Sequence, residues 1–593
     1  MRVADFIVQY LKNKNIKTFF SVTGRGTLFL NDALARDKNI KSFFFHHEQS
    51  AAFAAITTPN VNGNISCCMV STGCASTNTI TAVLSAWQDS QPVIFISGQN
   101  FLNETTTFKK KKNIRTYGQQ EANIIEIIKP ITKYSKMITS PQQIKYELDK
   151  ALFFVNDKIK GPVWLDIPLD IQNSRIEERK IKSFFKKKDV KKCSKTDINK
   201  VFLDIKRSTR PVVLIGSGIK NSGCLNALKN FLKKFKIPLV YTSSGTSILG
   251  SDNRLCIGSL GSQGCSREGA FTVQNSDLLI VLGSRLNSLT IGLDVKKFAR
   301  HAKKIIIDIN KEEHSKNKFK NSRLILSDLK FFLESINKKK ININREKWIS
   351  TCLNWKKTFQ DKKDVIRTSK KINLYDLSEV FSKVLSKDSI FLCDSGFVDV
   401  ILPTNVRFKK KQICIHPASQ GSMGFALPAI VGAYSTGKQN IVSVIGDGSV
   451  MMNLQEFQTI KHYKIPAKIF IINNKVYGII RRRQKELFRG RTIGTDDSNG
   501  VSCPDFKKVA SAFNIKYQLI KQKNNLENKI NKVLKEKKTI ICEIITDENQ
   551  DYIEVGYTKN KKGKIVRRPL EDQKPFLDRN SFLKQMIIKP IDQ

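Results

Sequence analysis

Residues Ile445 to Gly478 read IGDGSVMMNLQEFQTIKHYKIPAKIFIINNKVYG. An apolar run, Ile441-Val442-Ser443-Val444-Ile445, leads straight into Gly446-Asp447-Gly448-Ser449. Met452, Leu454, Phe457 and Ile460 follow at helical spacing, and Lys468 to Ile472 is a second apolar run that ends in Asn473-Asn474. The pattern predicts strand, glycine turn, helix and strand, a βαβ unit. Both strands of such a unit point the same way, and ligands sit beyond their carboxyl ends. Asp447 and Asn474 are therefore expected at one edge of one sheet. A carboxylate, a carboxamide oxygen and a nearby carbonyl make a partial oxygen cage, which suits Mg²⁺ completed by phosphate oxygens and water. The glycines let backbone N–H groups approach a phosphate, and a helix N-terminus favours its charge. GDGS alone is most often a tight turn. GDG and NN at the two ends of a strand-helix-strand unit are a far more specific signal.

The chain has 593 residues, a length that predicts three or four domains. Its formal charge is +50, from 102 basic and 52 acidic side chains. Such a charge invites a nucleic-acid reading. The lysines, however, are spread along the whole chain, and no basic helix with interleaved aromatics appears. A compositional bias is favoured over RNA or anionic substrates as its cause. The 12 cysteines show no CxxC pair or metal spacing, so reduced, mostly buried thiols in a cytoplasmic protein are expected. The first residues, MRVADFIVQYLKNKNIK, read as an amphipathic helix rather than a signal peptide. No run approaches the ~18 apolar residues of a membrane span.

Residues 1–175 alternate helix and strand from the start. Helix 4–14 leads to strand 17–22 and then to Thr23-Gly24-Arg25-Gly26. Strand Ser42–Phe45 precedes His46-His47-Glu48-Gln49-Ser50 and an Ala-rich helix. Ser66–Val70 is a strand ending in Ser71-Thr72-Gly73-Cys74-Ala75-Ser76-Thr77-Asn78, and Val93–Ser97 is another. These features predict a doubly wound α/β domain with parallel strands. Glu48 taken alone reads as a first-turn carboxylate that complements a helix dipole.

Three segments taken together change that reading. HHEQSAAFAA from His46, STGCASTN from Ser71 and WQDSQPVIFISGQ from Trp87 resemble the pyrimidine-binding domain of the thiamine diphosphate-dependent enzymes. Within that family the pattern is most similar to the acetolactate synthase large subunit, with Cys74 and Ala75 where Pro and Gly are usual. The resemblance implies that Glu48 hydrogen-bonds N1′ of the cofactor's aminopyrimidine. A carboxyl with a raised pKa in an apolar cleft can share a proton there. The resulting thiazolium ylid then carries the hard chemistry. Gly118-Gln119-Gln120-Glu121 falls where the synthases carry Ala-Phe-Gln-Glu. Gln120 would face the substrate, and Gln119 replaces a pocket Phe, which leaves the acceptor open. Gly161–Pro168 matches the strand that closes the domain, with Asp166 read as a structural turn residue.

Ser174–Thr196 reads as a Lys-rich linker. A second α/β block follows, with strands Pro211–Ile215, Leu278–Leu282 and Lys304–Ile309, the first two ending in glycine turns. A GSG turn is a weak nucleotide signal. In acetolactate synthases this middle domain binds FAD without a redox step, and other relatives keep the domain without flavin, so FAD stays open. Arg285 matches an arginine of the family's segment. Residues 335–372 read as a helix holding Trp348 and Trp355, then a connecting segment.

Leu374–Leu385 reads as an amphipathic helix and Ile390–Cys393 as a strand ending in Asp394-Ser395-Gly396, a turn with backbone donors for a phosphate. Gly421-Ser422-Met423-Gly424-Phe425-Ala426-Leu427-Pro428 resembles the synthases' GTMGFGLP. Met423 would wedge under the cofactor and bend its two rings together; the plain alternative is core filler. By resemblance the Mg²⁺ ligands are Asp447, Asn474 and the carbonyl of Val476. Ser395, Gly396, Ser422, Met423, Gly446, Gly448, Ser449 and Gly478 would surround the cofactor. Five residues past Gly478 the synthases carry a Trp that shapes the acceptor pocket. Here Arg483, within Arg481-Arg482-Arg483, reads either as a solvated face or as a grip on an anionic acceptor. Tyr557–Gln593 reads as a surface-wrapping extension.

The expected architecture is α/β with three doubly wound parallel-sheet domains. They are a pyrimidine-binding domain over 1–175, a central domain over 190–335 and a diphosphate- and Mg²⁺-binding domain over 373–550, followed by an extension over 551–593. The resemblance implies a carboligase that decarboxylates pyruvate and transfers the two-carbon unit to a carbonyl acceptor. It also implies a homodimer or homotetramer, with Glu48 from one chain and the Mg²⁺ site from the other. A second pyruvate as acceptor gives acetolactate, a step toward branched-chain amino acids. A ketosugar acceptor, plain 2-oxo acid decarboxylation and C–C hydrolysis are the enzymatic alternatives. A cofactor-free structural or RNA-binding protein is the reading from another class, resting on charge alone.

Overall fold

Three six-stranded sheets carry the chain in a computed structural model that describes residues 1–109, 113–360, 371–559 and 563–591. The first holds β1 (Thr18–Ser21), β2 (Lys41–Phe44), β3 (Ser66–Val70), β4 (Val93–Gln99), β5 (Tyr134–Met137) and β6 (Val163–Pro168). The second holds β7 (Pro211–Ile215), β8 (Leu239–Thr242), β9 (Cys256–Leu260), β10 (Leu278–Leu282), β11 (Lys303–Asp308) and β12 (Ser322–Leu326). The third holds β13 (Ile390–Cys393), β14 (Ile413–Ile415), β15 (Ile441–Gly446), β16 (Lys468–Asn473), β17 (Lys516–Ile520) and β18 (Ile540–Ile545). Neighbouring strands within each sheet are parallel. Central strands such as β3, β4, β7 and β10 are buried along their whole length, as a sheet covered by helices on both faces requires.

The orders are β2-β1-β3-β4-β6-β5, β12-β11-β10-β7-β8-β9 and β14-β13-β15-β16-β18-β17. The first and third sheets thus share one topology. Winding reverses between β1 and β3 and again between β13 and β15, which makes those two crevices the places where ligands collect. The second sheet has the 3-2-1-4-5-6 order of dinucleotide-binding folds, with its crevice between β7 and β10.

Two helices join the outer sheets. Helix α1 (Glu48–Asn62) is buried on every face from Ser50 to Pro59, and helix α2 (Ala426–Ser435) from Ala426 to Ala433. Neither sequence carries a polar stripe, so each helix must lie inside the protein. They pack on each other. A Cβ on Gly432 would sit 2.3 Å from the Ala54 carbonyl oxygen, so only glycine allows this approach. The Phe53 and Phe425 rings meet edge to face with centroids 5.6 Å apart. One apolar cluster therefore spans the first and third sheets.

Several expectations shift. The helix expected after Gly446-Asp447-Gly448-Ser449 splits into Asp447–Val450 and Glu456–His462. The cause is Asn453, fully buried between them. Its Oδ1 accepts the Ser50 hydroxyl at 3.0 Å, and its Nδ2 donates to the Gly424 carbonyl at 2.8 Å. These bonds pull the backbone off the helical path and leave Met452 exposed instead of on a core face. Asp166 is not a turn residue. It lies in β6, fully buried, and accepts the Ser97 hydroxyl at 2.6 Å. The linker ends at a capping box, Ser194 with Asp197, that starts the helix at Lys195. Trp348 and Trp355 are buried on helix Glu346–Gln360. Residues 361–370, expected as a connecting segment, lie outside the described residues. The C-terminal extension does more than wrap a surface. Val555, Leu570 and Phe582 enter the central apolar cluster with Phe271 and Trp355. All 12 cysteines are free, most of them buried. No helix among the described residues is long and apolar enough to cross a membrane.

Candidate active site

Gly446 and Ile472 are paired in the β15–β16 ladder, so Asp447 and Asn474 leave neighbouring strands at the same edge. Asp447 is 3% exposed. Its Oδ1 accepts the Gly448 N–H at 2.8 Å, and its Oδ2 accepts the Asn474 and Lys475 N–H groups at 3.1 and 2.7 Å. Burial pushes this carboxyl up to about 6 against the pull of those N–H groups, and nearby Glu543 adds to the rise. The Asn474 Oδ1 accepts the Val476 N–H at 3.1 Å. A buried carboxylate held by N–H groups, with no side-chain cation paired to it among the described residues, is a site where a divalent ion would offset the desolvation. One carboxylate, one carboxamide and one carbonyl are hard oxygen donors, which suit Mg²⁺ rather than a softer metal. No group of three or more His, Cys, Asp or Glu able to hold a metal occurs among the described residues. The turn is closed tightly: a Cβ on Gly448 would fall 1.9 Å from the Tyr477 ring.

Across the β13–β15 crevice, fully buried Asp394 supports the loop that presents Met423. Its Oδ1 accepts the Ser395 and Gly424 N–H groups at 2.8 and 3.0 Å, and its Oδ2 accepts the Ala426 N–H at 2.7 Å. Burial pushes it up to about 6, opposed by these bonds and by the Ser449 hydroxyl. Gly424 has φ +82 and Gly396 φ +89. Met423, Ser395 and Gly396 are half-buried, and Ser422 and Ser449 are buried. Gly478 packs on Phe397, which a Cβ there would approach to 2.1 Å.

At the edge of the first sheet, Glu48 opens α1 and is half-buried. Its Oε2 accepts the Asn78 Nδ2–H at 2.9 Å. Gly73, at φ +62, lets the Gln120 carbonyl come so close that a Cβ would fall 1.8 Å from it. Gln120 itself is exposed, with φ 57. The segments of Glu48 and Met423 meet through the Ser50–Asn453–Gly424 chain of hydrogen bonds within one chain.

Three family descriptions match the chain in order. Residues 1–127 match the N-terminal binding domain of thiamine pyrophosphate enzymes, residues 198–336 their central domain and residues 394–544 their C-terminal binding domain. The chain belongs to the thiamine pyrophosphate enzyme family. It is 29% identical over 566 residues to a probable acetolactate synthase large subunit of Methanocaldococcus jannaschii, covering 92% of each chain. It is 27% identical to the acetolactate synthase large subunit of Haemophilus influenzae over 92% of this chain and 95% of that one. It is also 27% identical to that of Porphyra purpurea over 86% of each.

Set in this family, the site residues read from sequence fall into two groups. Glu48 and Gln120 lie at the edge of the first sheet. Ser395, Gly396, Ser422, Met423, Gly446, Asp447, Gly448, Ser449, Asn474, Val476 and Gly478 lie at the edge of the third. Sequence reasoning missed Asp394 and Asn453 as supports. The signal for Asp394 was its place at the end of an apolar strand just before Ser-Gly. Asn453 gave none, since its partners are far away in sequence.

The three arginines of helix α3 (Gly478–Leu487) are already engaged within the chain. Arg481 pairs with Asp496 at 3.0 Å, and Arg482 with Glu554 at 2.6 Å. Arg483 pairs with Glu486 at 2.9 Å and Glu554 at 3.1 Å. Of the two readings left open for Arg483, neither a bare solvated face nor a free grip on an acceptor describes it. Arg482 and Arg483 tie the C-terminal extension to the third domain through Glu554, and Arg481 pairs within that domain.

A cavity of about 880 Å³ opens at the carboxyl edge of the central sheet. Ser217, Gly283, Asp308 and Asn310 line one side, and Lys133 and Lys188 the other. Arg285 reaches from its rim to the Ser419 hydroxyl at 2.6 Å.

Proposed function

We propose that this chain is a thiamine diphosphate- and Mg²⁺-dependent transferase of the acetolactate synthase type, which decarboxylates pyruvate and passes the two-carbon unit to a carbonyl acceptor. The observation that carries the reading is the Asp447–Asn474 pair at the β15–β16 edge, facing the Met423 loop across one crevice. When bound, thiamine diphosphate supplies a nucleophilic carbon and an electron sink. Asp447, Asn474 and the Val476 carbonyl would hold Mg²⁺. The Gly446–Ser449 turn, whose Gly448 N–H is held by Asp447, would with Ser395, Gly396 and Ser422 hold the diphosphate. Met423 would pack against the cofactor, and Gly478 would leave room beside it. Glu48, oriented by Asn78, holds and moves a proton at the aminopyrimidine N1′. Gln120 faces the substrate.

Glu48 and Met423 both keep surface in the single chain that a second chain would cover. This supports a homodimer, or a homotetramer built from it, in which Glu48 of one chain serves the Mg²⁺ site of the other. The domains would then run over 1–175, 190–335 and 373–550. At β7 and β10 the glycine turns pack on each other, so that a Cβ on Gly218 would lie 2.6 Å from the Gly283 Cα; the crevice beside them is where such a sheet takes a dinucleotide, and FAD is one candidate for it. Incubation with labelled pyruvate, with and without candidate acceptors, tests the reading. Release of labelled CO₂ that requires both thiamine diphosphate and Mg²⁺ is expected. A chain that binds neither, and releases none, refutes it.

A further inference from the structure

The two departures that leave the acceptor open, Gln119 and the arginine triplet, have different fates. The triplet is neutralised inside the chain. Gln119 instead holds a different cation. The Arg25 guanidinium donates to its side-chain oxygen at 3.0 Å. Among the described residues no carboxylate pairs with Arg25, which is exposed. Its remaining N–H donors are free to face a ligand.

The topology puts this cation at the site. Ser21 of β1 pairs with Phe44 of β2 on one side and with Met69 of β3 on the other. Four residues beyond those paired positions lie Arg25, Glu48 and Gly73 respectively. Neighbouring strands are about 4.8 Å apart, so the three turns stand side by side at one sheet edge. The β1–β3 crevice is also where the winding reverses, the place where such sheets bind ligands. The turn is rigid. The Gly26 N–H donates to the Ser71 hydroxyl at 3.0 Å, and a Cβ on Gly24 would lie 2.5 Å from the Ser71 Cβ. The partner is fixed too, since the buried Asn100 amide donates to the Gln119 carbonyl at 2.9 Å.

We infer that Arg25, steadied by Gln119, reads an anionic group on the carbonyl acceptor, a carboxylate or a phosphate. This rests on the carboligase reading and names the substrate class for it. A guanidinium suits a planar or tetrahedral oxyanion that it can grip through two donors. The acceptor, not the donor, is the consistent target. A cation on the departing carboxylate would stabilise a charge that decarboxylation removes, and so favour the ground state. The charge of an acceptor persists from binding to product, so the same contact helps throughout.

The test uses the full chain loaded with thiamine diphosphate and Mg²⁺, labelled pyruvate as donor, and three acceptors: 2-oxobutyrate, dihydroxyacetone phosphate and neutral dihydroxyacetone. Arg25→Ala should raise KM for an anionic acceptor about tenfold or more, and Arg25→Lys should recover part of it. The neutral acceptor should change far less. The wild-type preference should weaken as salt is raised, because an exposed ion pair is screened. The two anions separate a carboxylate reader from a phosphate reader. Equal effects of Arg25→Ala on charged and neutral acceptors overturn the inference. A wild type that releases no labelled CO₂ overturns the carboligase reading instead. In that case titration of dihydroxyacetone phosphate without turnover still decides the role of Arg25, since equal binding to wild type and Arg25→Ala refutes it.

Discussion

The Asp394 carboxylate accepts the Gly424 N–H at 3.0 Å and the Ala426 N–H at 2.7 Å, one and three residues after Met423. A buried acid thus fixes the loop that carries Met423. Its cost is visible in a pKa pushed up to about 6 by burial. Asp394→Asn keeps the shape but replaces one acceptor oxygen with a donor that faces N–H groups. A loss of stability of about 1–3 kcal/mol is expected. Affinity for thiamine diphosphate should fall with it, and denaturant unfolding and cofactor titration check the two together.

Among the described residues the Glu48 carboxylate takes one side-chain hydrogen bond, from Asn78, so Glu48→Gln should fold normally. It should retain diphosphate and Mg²⁺ binding yet lose exchange of the cofactor's C2 proton by about 10²-fold or more. Unchanged exchange in deuterated water would assign the proton transfer to another group.

Glu554, 4% exposed, receives Arg482 and Arg483 together. Arg482 also lies over the Tyr552 ring at 4.5 Å. Glu554→Gln leaves two cations beside one neutral group. Both arginines are partly open to water, so the loss is about 1–3 kcal/mol rather than that of a fully buried pair. Limited proteolysis should show the C-terminal extension released earlier than in the wild type, with carboligation of neutral acceptors affected less than that release.

His416 carries a pH signature. Its Nδ1 lies 2.5 Å from the Asp399 Oδ1, and its Nε2 lies 3.1 Å from the Ser243 carbonyl oxygen. Burial pulls its pKa down, but the charge and hydrogen bond of Asp399 outweigh it and carry it up to about 9. The unfolded value is about 6.5. The folded chain therefore holds a proton that the unfolded chain has lost between those values. The stabilisation is full below about pH 6.5 and disappears as pH rises through about 9. His416→Gln should lower Tm clearly at pH 6 and much less at pH 9.5. Equal losses at both would show that the ion pair is not formed.

Much of the fold was legible because parallel strands announce themselves. Runs such as Leu278–Leu282, apolar at every position, and Ile441–Ile445, apolar but for Ser443, end in glycine turns. Edge strands such as β5 and β17, with exposed and apolar positions mixed, gave no such pattern. Asp447 and Asn474 could be placed together because a βαβ unit fixes their direction. Asn453 could not, because what bends the helix there is Ser50, far away in sequence. Arg482 and Arg483 were ambiguous for the same reason: their shared partner Glu554 belongs to the extension. Side-chain pairs that join distant segments leave no periodic trace. Local turns and buried strands do.

The most direct measurement is equilibrium titration of thiamine diphosphate into the purified chain with Mg²⁺, repeated with a chelator and with Asp447→Ala. Binding with the metal, and its loss in both other conditions, is the result expected. Binding of equal strength without Mg²⁺ or without the Asp447 carboxylate, or no binding at all, would contradict the site described.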